Sequence, residues 1–204
     1  MPNYAPWANP NKTSGNGNDT VSWSASEHTG RLARQTLATF SASGVSPSPE
    51  LTIIQSGKTE FVSFDSATAS VSKSGGTLTI TGKSNSSKLT FSLTGSNNIG
   101  LVLPSSYLAN SVGTNNTAAI AGDPGATQEY VFSITFTGIA ENTSIASLLS
   151  QLTVEDNNGN TATCDITQAA GDAYLTISPA TITIPAAGTA VSVSVSSNTN
   201  WSIS

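Results

Sequence analysis

Glu27-His28 stands in a serine-rich stretch, and a serine, a histidine and an acid held together could activate a hydroxyl nucleophile. The later half of the chain echoes the earlier one, and in that echo His28 finds Asn142, a turn-forming residue, so a solvated turn is the expectation for His28. Cys164 could act as a nucleophile or a metal ligand, but it alternates in phase with Ile166, which makes it a core thiol. Asp156-Asn157-Asn158-Gly159-Asn160 offers oxygen ligands for calcium, yet its glycine comes early and no glutamate closes the loop. Asn-Gly between two strands reads as a hairpin turn instead. Glu155 and Asp156 are adjacent on a strand, so they point to opposite faces and cannot flank one glycosidic bond. The remaining chemistry is sugar stacking, which needs exposed rings. Trp23 aligns with Phe136 on an alternating strand, so both are expected in a core. Tyr4 and Trp7 have no such counterpart and are candidate anchors for a protein partner. No catalytic residue, metal or cofactor is expected.

The echo comes from sliding the chain 113 residues along itself. Ile53-Ile54-Gln55 then falls on Ile166-Thr167-Gln168, and Phe61-Val62-Ser63-Phe64 on Tyr174-Leu175-Thr176-Ile177. Gly75 meets Gly188, Leu78-Thr79-Ile80 meets Val191-Ser192-Val193, and Ser84-Asn85 meets Ser197-Asn198. The phasing implies four parts: an irregular arm over 1–17, the C-terminal half of a module over 18–58, a complete module over 59–171, and the N-terminal half of a further module over 172–204. The two halves could complete one sandwich, within a chain or between neighbouring chains, or the natural chain could continue past Ser204.

Strict alternation opens at Val21, Trp23 and Ala25 and recurs along the chain, predicting strands at 36–42, 51–55, 60–64, 67–71, 77–81 and 88–93. Residues 94–127 read as a long connection without a counterpart in either half. Strands resume at 129–137, 151–155, 161–168, 173–177, 181–184, 190–195 and 201–204, and only 143–150 could turn helically. Many short strands with turn residues between them predict an all-β fold of tandem Ig-like sandwiches.

Charged residues are 9% of the chain, far below the usual level of about 25%, while Ser and Thr together number 61. Seven scattered Lys and Arg under a net charge of -5 provide no basic patch, so nucleic acid is not an expected partner. No run approaches the length of about 20 apolar residues that spans a bilayer. The opening Met-Pro-Asn-Tyr-Ala-Pro-Trp has neither the basic region nor the apolar run of a secretory signal, so export by the general route is not expected.

The stretch Cys164–Ser204, with the closing Ile166-Thr167-Gln168, the opening Tyr174-Leu175-Thr176-Ile177-Ser178-Pro179, the Gly188 turn and Ser197-Asn198-Thr199 before Trp201, resembles the boundary between two BACON modules. Ser26-Glu27-His28-Thr29-Gly30 with Ala33-Arg34, and Glu141-Asn142-Thr143, are similar to the middle of such a module. These are Ig-like sandwiches common in Bacteroidetes and their phages. The resemblance implies a non-catalytic sandwich, a core position for Trp201, and membership of a group first proposed to bind carbohydrate or mucin and widespread in crAss-like gut phages. The complete unit here is longer than a usual BACON module, because of 94–127.

Together these features lead to a phage virion surface protein, a capsid decoration or head-fibre component anchored through its N-terminal arm to capsid or other virion proteins. It would be homo-oligomeric and reach the outside by lysis. The alternative is a carbohydrate- or mucin-binding module of a Bacteroidetes surface protein, with host or mucin glycan as its partner. A third reading is a purely architectural spacer.

Overall fold

The computed structural model describes residues 3–204. Its strands in chain order are β1 (Ala8–Pro10), β2 (Trp23–Ala25), β3 (Arg34–Thr39), β4 (Glu50–Gln55), β5 (Val62–Phe64), β6 (Thr68–Val71), β7 (Gly76–Ser84) and β8 (Leu89–Thr94). They continue as β9 (Tyr107–Ala109), β10 (Val112–Thr114), β11 (Tyr130–Ile139), β12 (Leu148–Asp156), β13 (Thr161–Gln168), β14 (Leu175–Ser178) and β15 (Ser194–Ser197). The one helical element among the described residues is a 3-10 turn at Pro124–Ala126. The chain is all-β and Ig-like.

Two sheets make the central sandwich. One has the order β10-β9-β11-β7-β5 and the other β6-β13-β12-β8, with β6 parallel to β13 and the other pairs antiparallel. Alternation decides which side chains meet between them. On β11, Tyr130, Phe132, Ile134 and Phe136 are buried and Val131, Thr135 and Thr137 are exposed. Phe132 is the hub, packing edge-on against Phe64 of its own sheet (5.8 Å) and Phe91 of the facing one (5.6 Å). Gly82 opposite it has no room for a side chain, since an added methyl would lie 2.3 Å from the Phe132 ring.

Residues 94–127 are not a bare connection. They supply β9 and β10, joined by Asn110 and Ser111 at φ 51° and 64°, the doubly left-handed pair a two-residue hairpin needs. They also bury Ile99, Leu101, Tyr107 and Ile120 in the core. Glycine and asparagine content hid this, because the inward residues are spaced by turns instead of alternating. Residues 143–150 contain no helical turn; they lead straight into β12.

The flanks are thinner. β1 pairs with β2, β3 with β4, and β14 with β15, each as an isolated two-stranded sheet. The segments 181–184 and 201–204 alternate like strands but form none. Their reason lies in the central sandwich. Shifted back by 113 residues, 181–184 falls on β6, whose one strand partner is β13, and 201–204 falls at the start of β8, which pairs with β12. The C-terminal flank has no strand equivalent to β12 or β13, so those backbones have no ladder to join.

Candidate functional site

The arm comes first, because Tyr4 and Trp7 are the sequence's candidates for docking. The structure sets both against their own chain. Tyr4 packs edge-on against Trp23 (5.1 Å, 87°), and the Arg34 guanidinium lies 4.6 Å from the Trp7 ring centroid. Ala5 N–H donates to Thr36 Oγ1 (2.8 Å), Asn3 Nδ2 donates to Thr39 Oγ1 (2.5 Å), and β1 extends the contact by pairing with β2. The arm is therefore not irregular throughout, and its two rings, half-buried, pack against β2 and β3 of the same chain.

What the arm imitates is visible in the central sandwich. Ser150 on β12 donates its hydroxyl to Asn97 of the 94–127 segment (2.6 Å), as Thr36 on β3 takes its bond from Ala5. β9 edges β11 as β1 edges β2. The 94–127 segment thus has a counterpart after all: the arm does its work for the N-terminal flank.

The repeat itself needs one adjustment. β14 pairs with β15 in the register of β5 with β7, Leu175 opposite Ser197 where Val62 is opposite Ser84, a shift of 113 for both strands. β3 and β4 pair Arg34 with Gln55, whereas β12 and β13 pair Leu148 with Gln168, so β3 maps onto β12 at 114. The same step explains His28 and Asn142. His28 Nε2 donates to Leu32 O (2.7 Å) and Asn142 Nδ2 donates to Ala146 O (2.8 Å), each closing the same five-residue turn. Neither is solvated, contrary to the sequence expectation: His28 and Asn142 are buried, because each turn is covered where one module meets the next.

Those meeting points are the most developed polar sites in the molecule. Asn85, fully buried, accepts from Phe61 N–H through Oδ1 (3.0 Å) and donates through Nδ2 to the carbonyls of Thr29, Thr59 and Lys58 (3.2, 3.3 and 3.4 Å). Asn198 repeats the pattern, accepting from Tyr174 N–H (3.0 Å) and donating to Thr143 O and Asp172 O (3.1 and 2.9 Å). Ser84 and Ser197 each donate their hydroxyl to the carbonyl of the residue Asn holds, Phe61 and Tyr174 (2.7 and 2.9 Å). Lys58 N–H to Gly30 O (2.8 Å) is matched by Gly171 N–H to Ser144 O (2.7 Å). One amide side chain thus ties the entry to a module to the turn of the module before it.

The first junction is reinforced. Arg31 makes a two-pronged ion pair with Asp123, its Nη1 to Oδ1 at 2.6 Å, and this carboxylate raises the guanidinium's pKa further. Gly30 and Gly125 permit the approach: a methyl on Gly125 would lie 2.0 Å from the Asn85 carbonyl oxygen. At the second junction Lys73 pairs with Asp172 at the surface. Sequence reading aligned Ser84-Asn85 with Ser197-Asn198 but gave them no task, since only the fold brings Thr29 and Thr143 to them.

The remaining candidates are placed as follows. Phe136 and Cys164 lie in the core at 2% and 1% exposure, and burial pushes the Cys164 thiol's pKa up, away from the reactive thiolate. Trp23 is only half-buried and packs on the arm, because β2 has one strand partner, β1, where β11 has two. Trp201 is 50% exposed, against the core position expected of it, because the strand that would cover it is missing from its flank. Asp156 is buried and ties its own turn, accepting from Asn158 N–H and Asn160 N–H (both 2.9 Å), while Glu155 faces solvent. Among the described residues no group of three His, Cys, Asp or Glu could hold a metal ion, and no helix is long and apolar enough to cross a membrane.

A shallow concavity of about 360 Å³ lies along β9 and β11, between Leu108, Asn110, Ser111 and Glu129 to Ser133. Its two rings, Tyr130 and Phe132, point into the core, and Tyr130 Oη donates to Ser86 O (2.9 Å), with burial raising the phenol's pKa. They offer no face for a sugar to stack on.

No family model and no curated protein matches the chain. Among solved structures it is similar to protocadherin gamma B7 extracellular cadherin domains 1–4, with a TM-score of 0.41 and 12% identity over 73% of this chain. The match spans 36% of that protein's chain, and at this TM-score it adds nothing to the reading of the site.

Proposed function

We propose that the chain is a non-catalytic structural protein of a virion surface, a capsid decoration or head-fibre component that displays Ig-like modules of the BACON type. The observation that supports this is the repeated asparagine junction: a buried amide at one boundary and its half-buried copy at the next tie the central sandwich to the segments on either side, which suits display and spacing. The hydroxyl-rich, charge-poor surface is in keeping with an exposed particle coat. Attachment to capsid or other virion proteins through the N-terminal arm is part of the same proposal, with Tyr4 and Trp7 half-buried on their own chain and part of each ring free.

Antibodies against the chain, applied to density-purified phage particles from Bacteroidetes cultures that carry the gene, should decorate particle heads in immunogold microscopy. Labelling confined to bacterial envelopes, with saturable binding of the isolated protein to mucin O-glycans, would replace this reading with the carbohydrate-binding one.

A further inference from the structure

In the central sandwich, β8 ends the sheet β6-β13-β12-β8, and along its outer edge runs a neighbour that is not a strand. Thr90, Ser92 and Thr94 stand opposite Glu155, Thr153 and Gln151 of β12, while the peptide groups of Phe91 point the other way. There they meet a side chain. Phe91 N–H donates to Asn116 Oδ1 (2.9 Å), and Asn116 Nδ2 donates back to Phe91 O (2.8 Å). These are the two bonds that opposite residues exchange in an antiparallel ladder, with the asparagine amide in the place of a peptide group.

Further along, Ile120 N–H donates to Ser87 O (2.8 Å). The pairs 116 with 91 and 120 with 87 share one antiparallel register, so residues 115–120 lie along β8 as an edge strap. Its grip is sparse. Leu89 O takes its bond from Tyr107 Oη of β9 (2.9 Å), and Ala118 N–H turns back to Asn115 Oδ1 (3.0 Å). Buried Ile120 and the Arg31–Asp123 pair anchor the far end, and Asn116 holds the near end to β8.

The strand under the strap is one that pairs readily. Edge strands are ordinarily kept from pairing by a lysine, a proline or a bulge. Leu89-Thr90-Phe91-Ser92-Leu93-Thr94 contains no charge and no proline, and it pairs with β12 through six residues without a shift. It is also self-complementary. In an antiparallel pair centred on Phe91, Thr90 falls opposite Ser92, Leu89 opposite Leu93 and Lys88 opposite Thr94, so like meets like on both faces and no charges of one sign are opposed.

We propose that Asn116 guards this edge, and that the surface it guards accepts β8 of a second copy of the chain once the amide is removed. The strap then swings out about its anchored end. Phe91 exchanges with Phe91 of the second copy the two bonds it makes to Asn116, and Leu89 O has a second lone pair for a further N–H while keeping Tyr107. The pairing is two-fold, so it closes as a dimer. It holds whether or not the protein belongs to a virion.

Hydrogen exchange and cross-linking test it. In the unmodified chain the Phe91 amide should exchange within about tenfold of the Ser92 amide, which faces β12, and exchange of Phe91 at the rate of an open loop would overturn the proposal. In dilute N116A, Phe91 should exchange at least about tenfold faster with Ser92 unchanged. In the antiparallel pair Thr90 and the second copy's Ser92 sit at a narrow position, about 4.5 Å between Cα atoms, which a disulfide can span. In a C164S background, N116A chains carrying T90C mixed with N116A chains carrying S92C, oxidised at high micromolar concentration, should therefore give a linked pair of doubled mass. The same mixture with Asn116 retained should stay monomeric. N116D keeps the size and the acceptor but has no N–H for Phe91 O, so it should behave as N116A does and serves where alanine prevents folding. The proposal fails if neither folded variant cross-links, or if the mixture with Asn116 in place cross-links equally.

Discussion

The central sandwich and its two flanks are written in the same alternating pattern, yet they end in opposite states. Leu152, Ile166 and Phe132 at the centre are at most 1% exposed, whereas Leu51, Ile177 and Val193, on the inward phase of the flanks, are 38%, 56% and 38% exposed. What differs is how many strands each sheet brings: five and four at the centre, two in each flank sheet. Alternation prepares a face for burial, and only another sheet, supplied by the same chain or by a neighbour, completes it.

Thiol chemistry offers the largest contrast between the two regions. Cys164 should be protected from alkylation by about three orders of magnitude or more, because its modification requires global opening, while W201C in a C164S background should react at the rate of a free thiol. Comparable rates would mean that the central core is loose. Truncation comes next. Phe132→Ala should cost about 3–5 kcal/mol in urea unfolding, since it empties the point where three rings meet, and Trp201→Ala in the dilute chain should cost less than about 0.5 kcal/mol.

The junctions sharpen the comparison further. Asn85→Ala strands a buried N–H and several carbonyls and should cost about 2–3 kcal/mol, releasing the N-terminal flank to protease. Asn198→Ala touches a half-exposed copy of the same site and should cost about 1 kcal/mol or less, read as a few-fold faster hydrogen exchange at the Tyr174 amide with the urea midpoint unchanged. Equal effects at Asn85 and Asn198 would show that burial adds nothing to the clamp.

Much of this was legible beforehand. The pair β3 and β4, the strands of the central sandwich apart from β9 and β10, the hairpin at Asp156–Asn160 and the interior places of Phe136 and Cys164 all follow from period-two alternation and turn chemistry, which act within a few residues. The candidate sites were less legible. Tyr4 and Trp7 carry the composition of an interface, but whether the interface lies within the chain depends on Trp23 and Arg34 being near, and no local pattern encodes that. Asn85 and Asn198 could have been suspected as the one amide repeated beside the same serine. Their task became visible only when Thr29 and Thr143 were brought to them from the preceding turns.

What the sequence determined by itself is the strand alphabet and its period, because side-chain alternation and turn residues are fixed by local sterics and solvation. What only the tertiary structure decided is the exchange of parts between periods: the arm serving in place of 94–127, the one-residue slip between β3 and β12, and the exposure of Trp201. Each depends on which edge finds a partner across tens of residues, and a backbone edge is satisfied by position in space, whatever its distance along the chain.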